Sequence, residues 1–322
     1  MPAYIVPARA RRIAVCALLS LLAVSAHAEF TIAHTGGQLT IYEDGAPVLV
    51  YNHGLVYPPE GVDAERYARS SYIHPLYGLD GAVITEDFPA DHYHHRGVFW
   101  TWPETVIGGR KMDVWTLVGA RQVYERWLLQ EVEEDQVTVG VENGWFFDGE
   151  HLPKVRETIH FTVHPAAEHH RAIDFKLRFT NVCQEDVVFE GAKDKGYGGF
   201  SFRPRAENKP FVFDTAQGVS VEDALSYDTP WASVRWEKEG APSPGVAIFQ
   251  HPSNPGFPHP GWIFRHYAFL GVCWPHEQTH VLKPGDFFEL QYRLLVHQGV
   301  DAAALAELFD AYVKQNEAGH GG

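Results

Sequence analysis

The sequence predicts an all-β protein, a large antiparallel β-sandwich carrying one C-terminal α-helix. Three observations lead to that class. Segments such as Arg121 to Trp127, Gln136 to Glu142, Thr158 to Val163 and Ile173 to Thr180 alternate apolar and polar residues, the pattern of strands half-buried against a core. Turn signals such as Gly36-Gly37 and Asp44-Gly45 punctuate the runs. Only one segment, near the end, places apolar residues at helical spacing. A chain of 322 residues needs broader sheets than an immunoglobulin domain, so two large antiparallel sheets are expected.

Taken in order, the chain opens with Arg9, Arg11 and Arg12, an apolar run from Ile13 to Val24, and Ala26-His27-Ala28. A basic region, a short apolar run and a small-x-small site describe a secretory signal peptide over residues 1–28, cleaved after Ala28. The run is too short for a lasting membrane span, so a periplasmic or secreted protein without stable membrane insertion is expected. Residues 29–322 then form a single domain. Phe30 to Ile32, Gln38 to Tyr42 and Pro47 to Tyr51 read as an opening meander. After the alternating segments named above come strands at Phe211 to Phe213, Val219 to Val221, Val234 to Trp236, Val246 to Gln250, Ala268 to Trp274 and Phe287 to Val296. Asp301 can cap a helix over 301–316, whose stripe is Leu305, Leu308, Phe309 and Tyr312. The tail from Ala318 to Gly322 is expected to be disordered.

The formal charge is −15. An acidic surface disfavours nucleic acid and anionic membranes, both polyanions, as partners. It leaves room for an anion in a locally basic pocket. Beyond the leader the cysteines are Cys183 and Cys273. An exported protein permits a disulfide between them, and each also sits in an apolar stretch as a small buried hydrophobe would. No CxxC spacing marks a cysteine metal site, and no nucleotide-binding or nucleophile-elbow motif is present.

Chemistry concentrates between Asp87 and Trp100, where His92, His94, His95 and Arg96 fall within five positions. In an extended chain His92 and His94 share one face, while His95 turns to the other with Tyr93. His-x-His on a strand can hold a divalent metal, with a third ligand drawn from Asp91, His74, His259 or His297. The same imidazoles can also act without metal as general acid and base, since imidazole titrates near neutral pH. Arg96 favours the second reading, because a fixed cation repels a metal and attracts a carboxylate. Trp100 and Trp102 would share a strand face and stack on a sugar ring, with Glu104 near enough to bind hydroxyls. His74 stands before a proline in a polar, aromatic stretch. A glycine-rich cluster carries Lys193, Lys195 and Arg203, and a proline-rich loop carries His259 and leads to Arg265. His297 alternates with Leu295 near the end of the last strand.

These motifs resemble a family of secreted bacterial proteins often labelled methane oxygenase PmoA. The resemblance rests on SYIHPLYGLDGAVITEDFPADHYHHRGVFWTWP at 71–103, KGYGGFSFRP at 195–204, GVAIFQHPSNP at 245–255 with the Trp-Arg loop after it, and YRLLVHQG at 292–299. The label does not suit the chain, since a membrane-bound oxygenase subunit needs several apolar spans. The resemblance implies a large sandwich similar to the supersandwich of galactose mutarotases and some polysaccharide lyases, and points to carbohydrate catabolism.

The expected function is a carbohydrate-active enzyme that hydrolyses, eliminates or epimerises a glycoside or sugar acid. His92, His94, His95 and Arg96 would be catalytic. His74, Trp100, Trp102, Glu104, Lys193, Lys195, Arg203, His259, Arg265 and His297 would bind substrate. Two alternatives stand beside it. One is a metal-dependent enzyme whose divalent ion is held by His92 and His94. The other is a non-catalytic carbohydrate-binding protein.

Overall fold

Antiparallel pairing begins with the first predicted meander, and it sets the architecture. The computed structural model describes residues 28–318. The predicted leader lies outside them apart from Ala28, as does the predicted disordered tail apart from the backbone of Ala318. An eight-stranded front sheet runs, edge to edge, through Phe30–Thr35, Gln38–Glu43, Ala46–Asn52, Tyr72–Leu76, Val98–Thr101, Gly199–Phe202, Phe269–Cys273 and Trp262–Arg265. A nine-stranded back sheet runs through Gly218–Ser220, Phe211–Thr215, Trp231–Trp236, Pro244–Gln250, Phe287–Gln298, His170–Asn181, Val155–Val163, Val137–Phe147 and Ala120–Val132. A third sheet of four short strands, His280–Leu282, Val187–Glu190, Glu104–Ile107 and Arg110–Met112, closes one end. The all-β antiparallel class and the C-terminal helix are as the alternation predicted.

Period two decides what each sheet face buries. On the front sheet Val98 and Trp100 point inward and meet the inner face of the back sheet, where Phe175 lies 6.0 Å from Trp100 between ring centroids. Phe99, Tyr72, Ile263, Phe269 and Cys273 point outward and form a separate apolar floor with Trp115. The outer face of the back sheet carries Trp231, Phe249 and Leu295, which the helix Ala302–Ala318 covers with Leu305, Phe309 and Tyr312. Asp301 Oδ1 accepts the Ala304 N–H and caps that helix. The helix and the apolar floor therefore lie on opposite sides of the sandwich.

One carboxylate is buried between the sheets. Glu157 accepts hydrogen bonds from Trp100 Nε1 at 2.8 Å, Asn143 Nδ2 and Trp145 Nε1 at 2.7 Å each, and Gln122 Nε2 at 2.5 Å. Burial raises its pKa, and the four donors pull it back down only in part. Both described cysteines are free thiols, Cys273 buried in the front sheet and Cys183 half-buried beside Asn181. Of the two readings left open by the sequence, the free thiols fit the small buried hydrophobe and not the disulfide. No helix among the described residues is long and apolar enough to cross a membrane.

Candidate functional site

The histidine motif is a loop, not a strand. Pro89 ends any extended run, the His92 N–H donates to the Pro89 carbonyl and the His95 N–H to the His92 carbonyl, so the chain turns twice before strand Val98–Thr101 begins. Gly97 makes the junction. A Cβ there would fall 2.3 Å from the Ile73 carbonyl oxygen, and only glycine lets the loop enter the sheet that closely.

Three buried guanidiniums hold this loop from behind. Arg96 donates to the carbonyls of Tyr93 at 2.6 Å, His95 at 2.8 Å and Tyr67 at 2.5 Å. Its Nε lies 3.3 Å from Asp87 Oδ1, and its plane covers the Phe88 ring at 3.6 Å. Arg69 donates to the carbonyls of His94, Val114 and Trp115. Arg203 donates to Asp91 Oδ1 at 2.8 Å, with Nη1 3.4 Å from His95 Nδ1. The sequence reading placed Arg96 and Arg203 in contact with ligand. Both are instead fully buried, and the hydrogen bonds they donate go to the loop and to the Tyr67 carbonyl rather than into a cleft.

With the loop fixed, the three imidazoles converge. His92 stacks on His95 with centroids 4.6 Å apart and planes 9° apart, and Tyr267 stacks on the other face of His92 at 5.0 Å and 13°. His94 meets both imidazoles edge-on. The expected division of His95 from His92 and His94 is corrected: turns, not strand alternation, orient the side chains. His95 rests on the apolar floor against Phe99, Trp115 and Phe269.

A cleft of about 250 Å³ opens above this stack, lined by His92, His94, His95, Trp115, Thr116, Lys195, Tyr197, Asp223, Leu225, Ile263, Arg265, Tyr267 and Phe269. Burial drives the His94 pKa down to about 3, and nearby Arg69 adds to the effect. Burial also holds His95 well below the usual imidazole range, helped by His94 and Arg203. Both are neutral at physiological pH, which corrects the expectation that all three titrate near neutrality. Behind the cleft, burial pushes Asp91 up, but Arg203 outweighs it and the net shift is downward. Asp91 Oδ2 sits 3.1 Å from His92 Nδ1, at ion-pair distance but out of line for a hydrogen bond. Asp223 Oδ1 accepts the His266 N–H and faces His266 Nδ1, each at 2.8 Å, and its Oδ2 lies 3.5 Å from Arg265 Nη1.

Of the predicted site residues, His92, His94, His95, Lys195 and Arg265 share the cleft. The others lie elsewhere. Trp100 and Trp102 do share a face, but it is the inner one, where their N–H groups bond Glu157 and the Trp274 carbonyl. They cannot stack on a ligand. Glu104 pairs with Lys111 at 2.7 Å on the small sheet. Lys193 is exposed and outside the cleft lining. His74 lines a separate groove with Thr85, Glu86 and Arg205. His259 is folded into its own loop, its N–H and carbonyl both paired with the Gln250 amide. His297 bonds Ser233 on the helix side of the back sheet, across the sandwich from the cleft.

Trp115, Tyr197, Asp223 and Tyr267 were not anticipated. Tyr197 stands inside the glycine-rich cluster, and Ile263, Arg265 and Tyr267 are spaced by two, so both tyrosines left a trace in the sequence. Trp115 and Asp223 left none. The metal reading does not fit the donors present. His92 and His94, the pair on which it rests, meet edge-on, Asp91 is committed to Arg203, the further candidates His259 and His297 are engaged elsewhere, and no group of three or more His, Cys, Asp or Glu among the described residues is arranged to hold an ion. Three guanidiniums behind the loop further disfavour a cation.

A family model described as "Family of unknown function (DUF6807)" matches residues 38–310. No curated protein matches the chain. Among solved structures, a heparan sulfate lyase HepC mutant from Pedobacter heparinus is similar at TM-score 0.37 and 9% identity, over 86% of this chain and 36% of that one. This chain thus spans about a third of the lyase's length. A GalM/aldose epimerase homologue from C. elegans gives TM-score 0.33 and 8% identity, over 84% and 99% of the two chains. A putative aldose 1-epimerase from Klebsiella pneumoniae gives 0.29 and 8%, over 89% and 87%. Likenesses this distant carry no argument about the reaction.

Proposed function

We propose that this chain, which belongs to the DUF6807 family, is a carbohydrate-active enzyme that moves a proton on a small sugar derivative, with His92 as the group that carries it. One observation supports this above the rest. Of the three clustered imidazoles, His92 alone combines a half-exposed ring at the cleft, 34% accessible, with a carboxylate beside its Nδ1. Asp91 faces that nitrogen and leaves Nε2 for substrate. It stays ionised because Arg203 anchors it, so it can stabilise the imidazolium formed when His92 takes a proton.

Tyr267 supplies the complementary acid. Burial raises its pKa against the opposing pull of Arg203 and Arg265, so its hydroxyl keeps its proton at neutral pH. Neutral His94 and His95 offer fixed ring N–H groups to a developing oxyanion without requiring a counter-ion. Hydrolysis by a pair of carboxylates is the weaker reading. Among the described residues Asp223 is the only carboxylate lining the cleft, and it is tied to His266 and Arg265, whereas glycosidases ordinarily use two free ones. β-Elimination, and epimerisation at a carbon next to a carboxylate, both begin with removal of a proton from carbon, which an imidazole base and a phenolic acid can perform. The leader at residues 1–28 supports placing this activity outside the cytoplasm.

The test is proton NMR in deuterated water with a panel of uronides and neutral glycosides. Epimerisation should bring solvent deuterium to the reacting carbon, β-elimination should replace that carbon's C–H signal with the vinyl signal of an unsaturated sugar, and His92→Ala should slow either roughly 10²- to 10⁴-fold. Either signal persisting in His92→Ala, new reducing ends with neither deuterium nor unsaturation, or saturable binding with no reaction at all would each overturn the assignment.

A further inference from the structure

We infer that the ligand of this cleft bears a carboxylate, that Lys195 is the group that docks it, and that the substrate class is therefore uronate sugars. This rests on the cleft being the binding site proposed above. Two cations line it, Lys195 and Arg265. Arg265 already faces Asp223. Lys195 makes no ion pair or side-chain hydrogen bond among the described residues, in a chain with 41 acidic residues against 26 lysines and arginines. In such a background, an ammonium facing a cleft without a partner leaves a charge for the ligand to neutralise.

The backbone carrying it is rigid. The N–H groups of Lys195 and Gly196 both donate to the Ala192 carbonyl, and the Ala192 N–H donates to the Tyr197 carbonyl. Gly196 has φ +69°, and a Cβ there would sit 2.2 Å from the His276 ring. His276 is tied in turn by its Nε2 to the Leu225 carbonyl at 2.7 Å, on the cleft wall. The turn is clamped on that side, and the Lys195 ammonium works from a fixed root.

Charge and size narrow the ligand. One unpaired ammonium balances one negative charge, while a sulfate or phosphate site is ordinarily built from several arginines or a row of backbone N–H groups. At about 250 Å³ the cleft falls below the roughly 300–1,000 Å³ typical of drug-sized pockets, which suits one sugar ring against Trp115, Tyr197 and Tyr267. A carboxylate on that ring also acidifies the adjacent C–H, the bond that the proposed chemistry breaks.

Isothermal titration calorimetry of the full chain with glucuronate, galacturonate, glucose, galactose and glucose 6-sulfate tests this. The wild type should bind at least one uronate and neither neutral sugar. Lys195→Met should weaken uronate binding by about ten-fold or more, as expected for a lost charge-assisted hydrogen bond, and Lys195→Arg should restore part of it. Uronate binding that is weakened by Lys195→Met but accompanied by no proton chemistry on the bound sugar would uphold this inference while the catalytic one fails, so the two are read apart. Equal binding of glucose and glucuronate, tighter binding of the sulfate ester, no binding of any uronate, or undiminished uronate binding by Lys195→Met would each overturn it.

Discussion

Arg96 sits where a core side chain usually sits. Burial lowers its pKa, and Asp87 and the Tyr72 hydroxyl oppose that shift. What keeps the guanidinium in place is that three backbone carbonyls, from Tyr67, Tyr93 and His95, would be orphaned without it. Arg96→Met should therefore destabilise the protein by about 3–5 kcal/mol, since it leaves Asp87 uncompensated as well. Urea unfolding reads this directly, and an unchanged midpoint would show that the loop holds itself. The sequence marked Arg96 and Arg203 as functional because they stand beside histidines and aromatics. Their direction was not legible, because a guanidinium that binds a ligand and one that binds its own loop look identical in a chain of letters. Asp223 is the converse case. It reaches the cleft by meeting Arg265 and His266 at the end of the edge strand Trp262–Arg265, a tertiary fact.

At the scale of elements, alternation was a dependable guide where strands are long. Val155–Val163 and His170–Asn181 contain the alternating runs Thr158 to Val163 and Ile173 to Thr180, and they pair from Val155 against Asn181 to Val163 against Ile173. It failed where the histidine spacing mimicked a strand and Pro89 broke one. The four-stranded sheet left little trace, since its strands of three or four residues come from distant parts of the chain. The C-terminal helix was legible because capping and periodicity agreed. Leu305, fully buried against the back sheet, makes its packing measurable. Leu305→Ala should cost about 2–5 kcal/mol and lower the thermal midpoint while leaving ligand binding in the cleft unchanged, because the helix covers the opposite sheet. A variant that lost binding at a temperature where it remains folded would contradict that separation.

Across the whole molecule, burial sets the response to acid. His94, His95, His259 and His297 all have pKa values lowered chiefly by burial, His259 and His297 to about 4. Each is neutral when folded and takes up a proton near pH 6.5 once unfolded. The unfolded chain thus binds more protons, so stability is fully present above about pH 6.5 and is lost as pH falls toward 4. A fully buried histidine of this kind contributes about 1.4 kcal/mol per pH unit in that window. Unfolding free energy measured from pH 7 to pH 4.5 should fall steeply, and less steeply in His297→Asn. A flat profile between pH 7 and 5 would show that these rings are solvated or protonated in the folded state.

The Glu157 carboxylate has a consequence for transplanting this site. Three of its four donors, Gln122, Asn143 and Trp145, come from the back sheet, and the fourth is Trp100 on the strand that leaves the histidine loop. Sliding one sheet over the other would part Trp100 from that acceptor and strand both in an apolar interior. The loop is thus indexed to the back sheet through a polar contact more than fifty residues away. A histidine loop grafted onto another sandwich would need Glu157 and its donors carried with it, or the cleft would form out of register with its own floor.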